Sequence, residues 1–274
     1  MEEQKLNSIV NSTKPKPNIK IKICGVGGGG GNNDRQGAMG ASGIVIVKYE
    51  VPYIEISTCQ TLDANTKYKL IANISAAPND CFIFGGNNIF FMCENTNIGG
   101  QNTGEAFTTN DIGRENLSII NCEIDAFSES FRFRNSKNII LENISITNPR
   151  NYALRCDLID GCENLSMKNI IVDNVQIDDG FYVLNSNNLS FENITLKNIG
   201  TGNGDHAYYI SNTKNVFMKN IFLENIYDTA IYVLDNSNNY TFENIYINTT
   251  TRTSANGIDI RTNSNKHIFE NITI

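Results

Sequence analysis

The chain has 274 residues, 29 acidic against 22 basic side chains and a formal net charge of −7. That balance argues against nucleic acid as a partner, because a nucleic-acid-binding face is basic. No apolar run approaches the roughly 20 residues of a membrane span, so no membrane insertion is expected. The polar start MEEQKLNSIVNSTKPKP carries no apolar signal core.

Residues 1–50 differ in composition from the rest. Ile19, Ile21 and Ile23 alternate with lysines and lead into a glycine-rich stretch, followed by the apolar GIVIVKYE from Gly43. This reads as strand, glycine loop and strand. Gly25, Gly27 and Gly30 match the spacing of a dinucleotide-binding fingerprint, but Gly31, Asn32 and Asn33 stand where its helix should begin. A nucleotide cofactor is therefore not expected. The chain divides into a glycine-rich N-terminal segment, 1–50, and a second domain, 51–274.

The second domain repeats one stretch. LENISI, MKNIIV, FENITL, MKNIFL, FENIYI and FENITI place Asn143, Asn169, Asn193, Asn220, Asn244 and Asn271 at spacings of 24 to 27 residues, with Asn121 an earlier copy 22 residues upstream. Apolar residues two before, one after and three after each asparagine, such as Phe191, Ile194 and Leu196, describe two short strands broken by a bend. A third strand follows in each copy: SFRFR, ALRCD, GFYVL, AYYIS, AIYVL and GIDIR. Three strands per repeat predict an all-β fold, a parallel β-helix in which every rung pairs with its neighbours. Asparagine suits the bend, since it tolerates backbone angles that most residues avoid. Pointing inward, its amide would bond the asparagine one rung away and satisfy buried polar groups. The N-x-Ser/Thr sequences at Asn143, Asn193 and Asn271 are then closed to glycosylation. Seven cysteines leave one odd. Cys59, Cys81 and Cys93 leave disulfides open, whereas Cys122 and Cys156 fall on inward positions, and most of the cysteines are expected to be reduced and structural. No Cys/His spacing suggests a metal.

Aligning the third strands gives inward columns, among them Phe131, Leu154, Phe181, Tyr208, Ile231 and Ile258, and an outward column of Arg132, Arg155, Tyr182, Tyr209, Tyr232 and Asp259. Stacked tyrosines flanked by charge are a candidate ligand face, or a ladder that merely stabilises the sheet surface. The loop before this strand varies in length and brings Asp178, Asp179, Asp205, His206 and Asp228 to one edge. Variable loops on a fixed scaffold are where sites are usually built.

From about residue 59 to the end, the Asn-Ile rungs and the turn pairs Asn135-Ser136, Asn185-Ser186, Asn212-Thr213, Asn236-Ser237 and Asn263-Ser264 resemble the right-handed parallel β-helix superfamily of pectate lyases, polygalacturonases, phage tailspikes and surface proteins. The glycine-rich segment is similar to modules near tail fibres. Asp178-Asp179-Gly180 is similar to the polygalacturonase Asp-Asp motif, and Gly204-Asp205-His206-Ala207 loosely to its Gly-His-Gly. Arg150-Asn151-Tyr152 lacks the family's preceding acid, and Arg261 falls one rung late. The resemblance implies Asp178, Asp179, Asp205 and His206 as catalytic candidates, and Tyr182, Tyr209, Tyr232, Arg132, Arg155, Asp228, Asp259 and Arg261 as substrate-binding ones. It requires no cofactor, with Ca²⁺ only for a lyase. Three readings stay open: a glycan-recognising module of a virion spike or cell surface, with or without depolymerase activity; a pectinase-like hydrolase or lyase; and a structural or adhesive solenoid. The expected partner is a polysaccharide. FENITI closes the chain in mid-rung, so a homotrimer or an end-capping partner is expected as well.

Overall fold

The computed structural model describes residues 51–253, 255–261 and 263–274. The glycine-rich segment, its fingerprint-like glycines, the tail-fibre likeness and Cys24 lie outside the described residues. The described residues are strands, bends and turns with no helix. They form a parallel β-solenoid of about nine turns.

The register follows the repeat. The isoleucine after each bend pairs with its equivalents, Ile144 with Ile170, Ile194, Ile221, Ile245 and finally Ile272. The first five of these are buried. In the early rungs the interior is a phenylalanine stack, with Phe107 and Phe131 rings 5.4 Å apart, before aliphatic side chains take over.

Each rung bends at single residues in the left-handed backbone region. In one turn these are Asn185, Asn188, Asn193 and Asn198, at φ of 51°, 57°, 56° and 53°. One such residue turns an extended chain without interrupting its pairing, which is why the strand Asn187–Ile199 runs through three bends. Side-chain amides then link the rungs. From Asn121 to Asn271 each Nδ2 donates to the preceding Oδ1 at 2.9 to 3.0 Å. A second ladder climbs from Asn65 through Asn88, Asn116, Asn138, Asn164 and Asn188.

The ladder forms, but its asparagines face solvent, because the inside of the bend is already filled by apolar neighbours such as Phe191 and Ile194. The amides of Asn143, Asn193 and Asn271 are therefore exposed yet engaged. The inward polar ladder is made of hydroxyls instead. Ser186 Oγ accepts from Cys162 N at 2.8 Å and donates to Leu184 O at 2.8 Å, and Thr213 repeats the pattern one rung on. Nor are the six described cysteines reduced. Three disulfides join Cys59 to Cys81, Cys93 to Cys122 and Cys156 to Cys162. The first two link neighbouring rungs, which the stacking brings to Cα separations of 4.3 and 4.9 Å. The third spans a bulge within the strand Tyr152–Val175, where Arg134 and Ser136 of the rung before face Asp157 and Cys162.

Ile194→Asp should abolish folding, since it buries an unpaired charge at a cost of several kcal/mol. A soluble variant with an ordinary melting curve would reject this register. For the ladder, Asn220→Ala should cost about 1–2 kcal/mol, the penalty of the left-handed region for a residue with a Cβ, and Asn220→Gly clearly less. Equal losses in chemical denaturation would shift the cause from the backbone to the amide bond.

Candidate functional site

The outward column stands in register: Arg132 pairs with Arg155, then Tyr182, Tyr209, Tyr232 and Asp259 follow rung by rung. Its tyrosines make a continuous strip with Tyr152 at one end. Ring centroids are 5.3 Å apart for Tyr152 and Tyr182, 5.1 Å for Tyr182 and Tyr209, and 5.7 Å for Tyr209 and Tyr232. Tyr182 and Tyr209 lie face to face, so they offer solvent their edges and hydroxyls rather than their faces. Tyr209 and Tyr232 are tilted by 60°. The imidazole of His206 packs beside that opening, 4.6 Å from the Tyr232 ring.

The loop acids are occupied by backbone. Asp179 is buried and its Oδ1 accepts His206 N at 2.7 Å. Burial pushes its carboxyl well above the ordinary aspartate value, and the charges of Asp178 and Asp205 add to the rise. Asp178 Oδ1 accepts Asp179 N at 3.1 Å, and burial together with the Asp178 carboxylate holds the Tyr152 hydroxyl above its ordinary pKa. Asp205 Oδ2 closes its own loop by accepting Thr201 N at 2.8 Å and Gly202 N at 2.6 Å. Asp228 accepts Gly204 N at 3.0 Å, Thr229 N at 2.9 Å and Arg252 Nη1 at 2.7 Å. Burial alone would raise the Asp228 carboxyl, but these donors outweigh it and hold the carboxyl below its usual range. Each carboxylate thus clamps a turn of its own or an adjoining rung.

His206 differs from these acids. Its Nδ1 lies 3.0 Å from the Thr229 carbonyl, which can only accept, so the proton of the neutral ring sits on Nδ1. Burial lowers its pKa below the ordinary histidine value. Among the described residues no partner reaches Nε2. It belongs to a recess of about 530 Å³ lined by Asn203, His206, Tyr209, Tyr232, Arg252, Asn256 and Arg261, among others. Arg261 holds Asp259 at 2.6 Å and lies 5.0 Å from the Tyr232 ring. The recess therefore offers phenol and amide groups, one imidazole acceptor and two guanidinium groups already balanced by carboxylates.

The two arginines of the column serve a different arrangement. Arg132 holds Glu105 at 2.5 Å, and Arg155 holds Asp157 at 2.7 Å and Glu129 at 3.0 Å. Arg155 also lies over the rings of Tyr152 and Tyr182, so it closes the lower end of the strip. Sequence alignment missed Tyr152, Thr229 and Asn256, although they share the column of Asp179 and His206, two residues before each inward position. Arg252 gave no signal, because it sits in a loop outside every column. Among the described residues no group of three or more His, Cys, Asp and Glu side chains is placed to hold a metal ion.

Glu105 supplies a pH test of the lower ion cluster. It faces Asp80 of the rung before and Arg132 and Glu129 of the rung after, and burial followed by the hydrogen bond with Asp80 raises its carboxyl to about 7. A raised carboxyl favours the fold fully below the unfolded value, and that contribution is lost as pH climbs through the folded one. The melting temperature should therefore fall between about pH 5 and 8, and Glu105→Gln should flatten that slope. An unchanged slope would remove Glu105 as its source.

No family model matches the chain, and no curated protein matches it. Among solved structures it is similar to two of PfbA, a surface adhesin of Streptococcus pneumoniae. One is 13% identical, covering 80% of this chain and 74% of that one, with a TM-score of 0.45. The other is 12% identical, covering 81% and 87%, with a TM-score of 0.40. Overlaps this loose decide nothing about function, which rests on the geometry of the site.

Proposed function

We propose that this solenoid is an extracellular or virion-surface module that binds a glycan along the tyrosine strip, with the recess around His206 as its main subsite. The observation that carries this reading is the recess itself, where a tilted tyrosine pair, an unpartnered imidazole nitrogen and the Asn256 amide converge at the end of a row of phenol hydroxyls. Sugar hydroxyls need such mixed donors and acceptors beside apolar ring edges. Three disulfides support an oxidising compartment. Binding is favoured over hydrolysis because a glycosidase needs two carboxyl groups free to act on the bond. Here Asp179, Asp205 and Asp228 are engaged by backbone N–H groups.

A glycan array probed with the full chain, followed by calorimetry on the strongest hit, tests the proposal. Tyr209→Ala and Tyr232→Ala should each weaken binding on the order of tenfold, about 1.4 kcal/mol, with little change in melting temperature. Silence across the array, or affinity indifferent to both substitutions, would overturn it. Reducing ends or unsaturated products released from the hit would replace it with the hydrolase or lyase reading.

A further inference from the structure

The outward column offers one phenol per rung over three successive rungs. Ring centroids of Tyr182, Tyr209 and Tyr232 follow at 5.1 and 5.7 Å, an interval set by the stacking of the strands. Two residues further along the same strands, Leu184, Ser211 and Leu234 form a second outward row in register, half-buried like the tyrosines. The outward positions of these three strands are therefore phenol, aliphatic or hydroxyl, and none is charged. Among the described residues nothing bonds the Tyr182 or Tyr209 hydroxyl, so each is open as donor and acceptor.

Charge stands at the ends and edges of this strip. Arg155, 5.8 Å from the Tyr182 ring at the lower end, is held by Glu129 and Asp157. Arg261, 5.0 Å from the Tyr232 ring at the upper end, is held by Asp259, and Arg252 by Asp228. Every arginine beside the strip already has its carboxylate. Burial pushes the Tyr209 phenol up, and the neighbouring phenols with the carboxylates of Asp179 and Asp235 add to the rise. The field over the strip is thus negative, and a polyanion such as a galacturonan would be repelled by it.

Period and charge together select a ligand. A pyranose chain joined through equatorial bonds is extended, and each sugar advances it by about one ring length, close to the interval of the tyrosines. An axial bond shortens and coils the chain, so its sugars fall out of step with the rungs. Phenol hydroxyls at the right interval can meet the hydroxyls of successive sugars, with Leu184 and Leu234 offering apolar contact to ring C–H groups.

We propose that the strip takes an unbranched, neutral glycan of equatorially joined pyranoses, laid along the stack of rungs with one sugar at each of Tyr182, Tyr209 and Tyr232. This rests on the reading of the face as a glycan site and adds the charge, linkage and direction of the ligand. The recess beside His206 holds the sugar at Tyr232, and Arg155 ends the strip after the third.

Calorimetry on the full chain tests it, with β-linked cello-, manno- and chito-oligosaccharides of one to six sugars against malto-oligosaccharides and oligogalacturonides of the same lengths. One of the β-linked series should bind, tightening on the order of fivefold with each sugar up to the third and levelling beyond it. The malto series and the oligogalacturonides should bind weaker on the order of tenfold. Tyr182→Phe keeps the ring and removes the hydroxyl. It should weaken the trisaccharide on the order of fivefold and leave the disaccharide, held at Tyr209 and Tyr232, unchanged. Silence of all three β-linked series, malto-oligosaccharides or oligogalacturonides bound as tightly, a monosaccharide as tight as the trisaccharide, or a Tyr182→Phe variant that binds every length as before would each overturn the proposal. If another glycan then binds through Tyr209 and Tyr232, the glycan reading stands without it; if no glycan binds at all, both fall.

Discussion

A lone residue in the left-handed backbone region, flanked by extended ones, redirects a strand while its neighbours keep their inter-rung hydrogen bonds. Placed at intervals around each turn, such residues convert a linear chain into a closed rung, and the next rung stacks in register. Asparagine meets the need twice over. It tolerates the conformation, and its amide bonds the asparagine above and below. Because the bends recur at matching positions, every other property of the molecule is organised in columns: phenylalanines inside, hydroxyls under one turn, tyrosines outside. The site exists only because the bends hold those columns in line.

The same constraint explains why the acids of the candidate site are not free. A loop inserted before the third strand interrupts the ladder, and its backbone N–H groups lose their inter-rung partners. A buried N–H without a partner is costly. Asp179, Asp205 and Asp228 supply those partners, bonding His206 N, Thr201 N and Gly204 N among others. Chemistry is then left to the groups that the loops position rather than to the clamps themselves. His206 is held at its backbone by Asp179 and at its ring by Thr229 O, and it lines the recess. The tyrosines reach their places through strand register alone.

Much of this was legible in the sequence, for a physical reason. Period-two alternation and a fixed repeat length specify which residues stack, so the column from Arg132 to Asp259 was readable by alignment alone. What the period does not encode was missed. It does not say on which side of a bend a side chain falls, so it does not reveal that the asparagines face solvent while neighbouring apolar residues fill the inside. Nor did it reveal that Cys93 and Cys122, 29 residues apart, meet across rungs, because they flank bends rather than share a strand position. Arg252 lies in a loop, where no period operates. The roles of Arg132 and Arg155 depend on Glu105, Glu129 and Asp157 from the same and neighbouring rungs, which only the three-dimensional register brings together.

The central claim is that ligand occupies the opening between Tyr209 and Tyr232, and ring-labelled tyrosine is the direct probe. With an oligosaccharide selected on a glycan array, NMR titration of the ring signals should move Tyr209 and Tyr232 most and Tyr182 less. Tyr240, buried in the interior, and Tyr246, on another face, should stay still. Shifts confined to Tyr246, or saturable binding with every ring of the strip unmoved, would contradict the account.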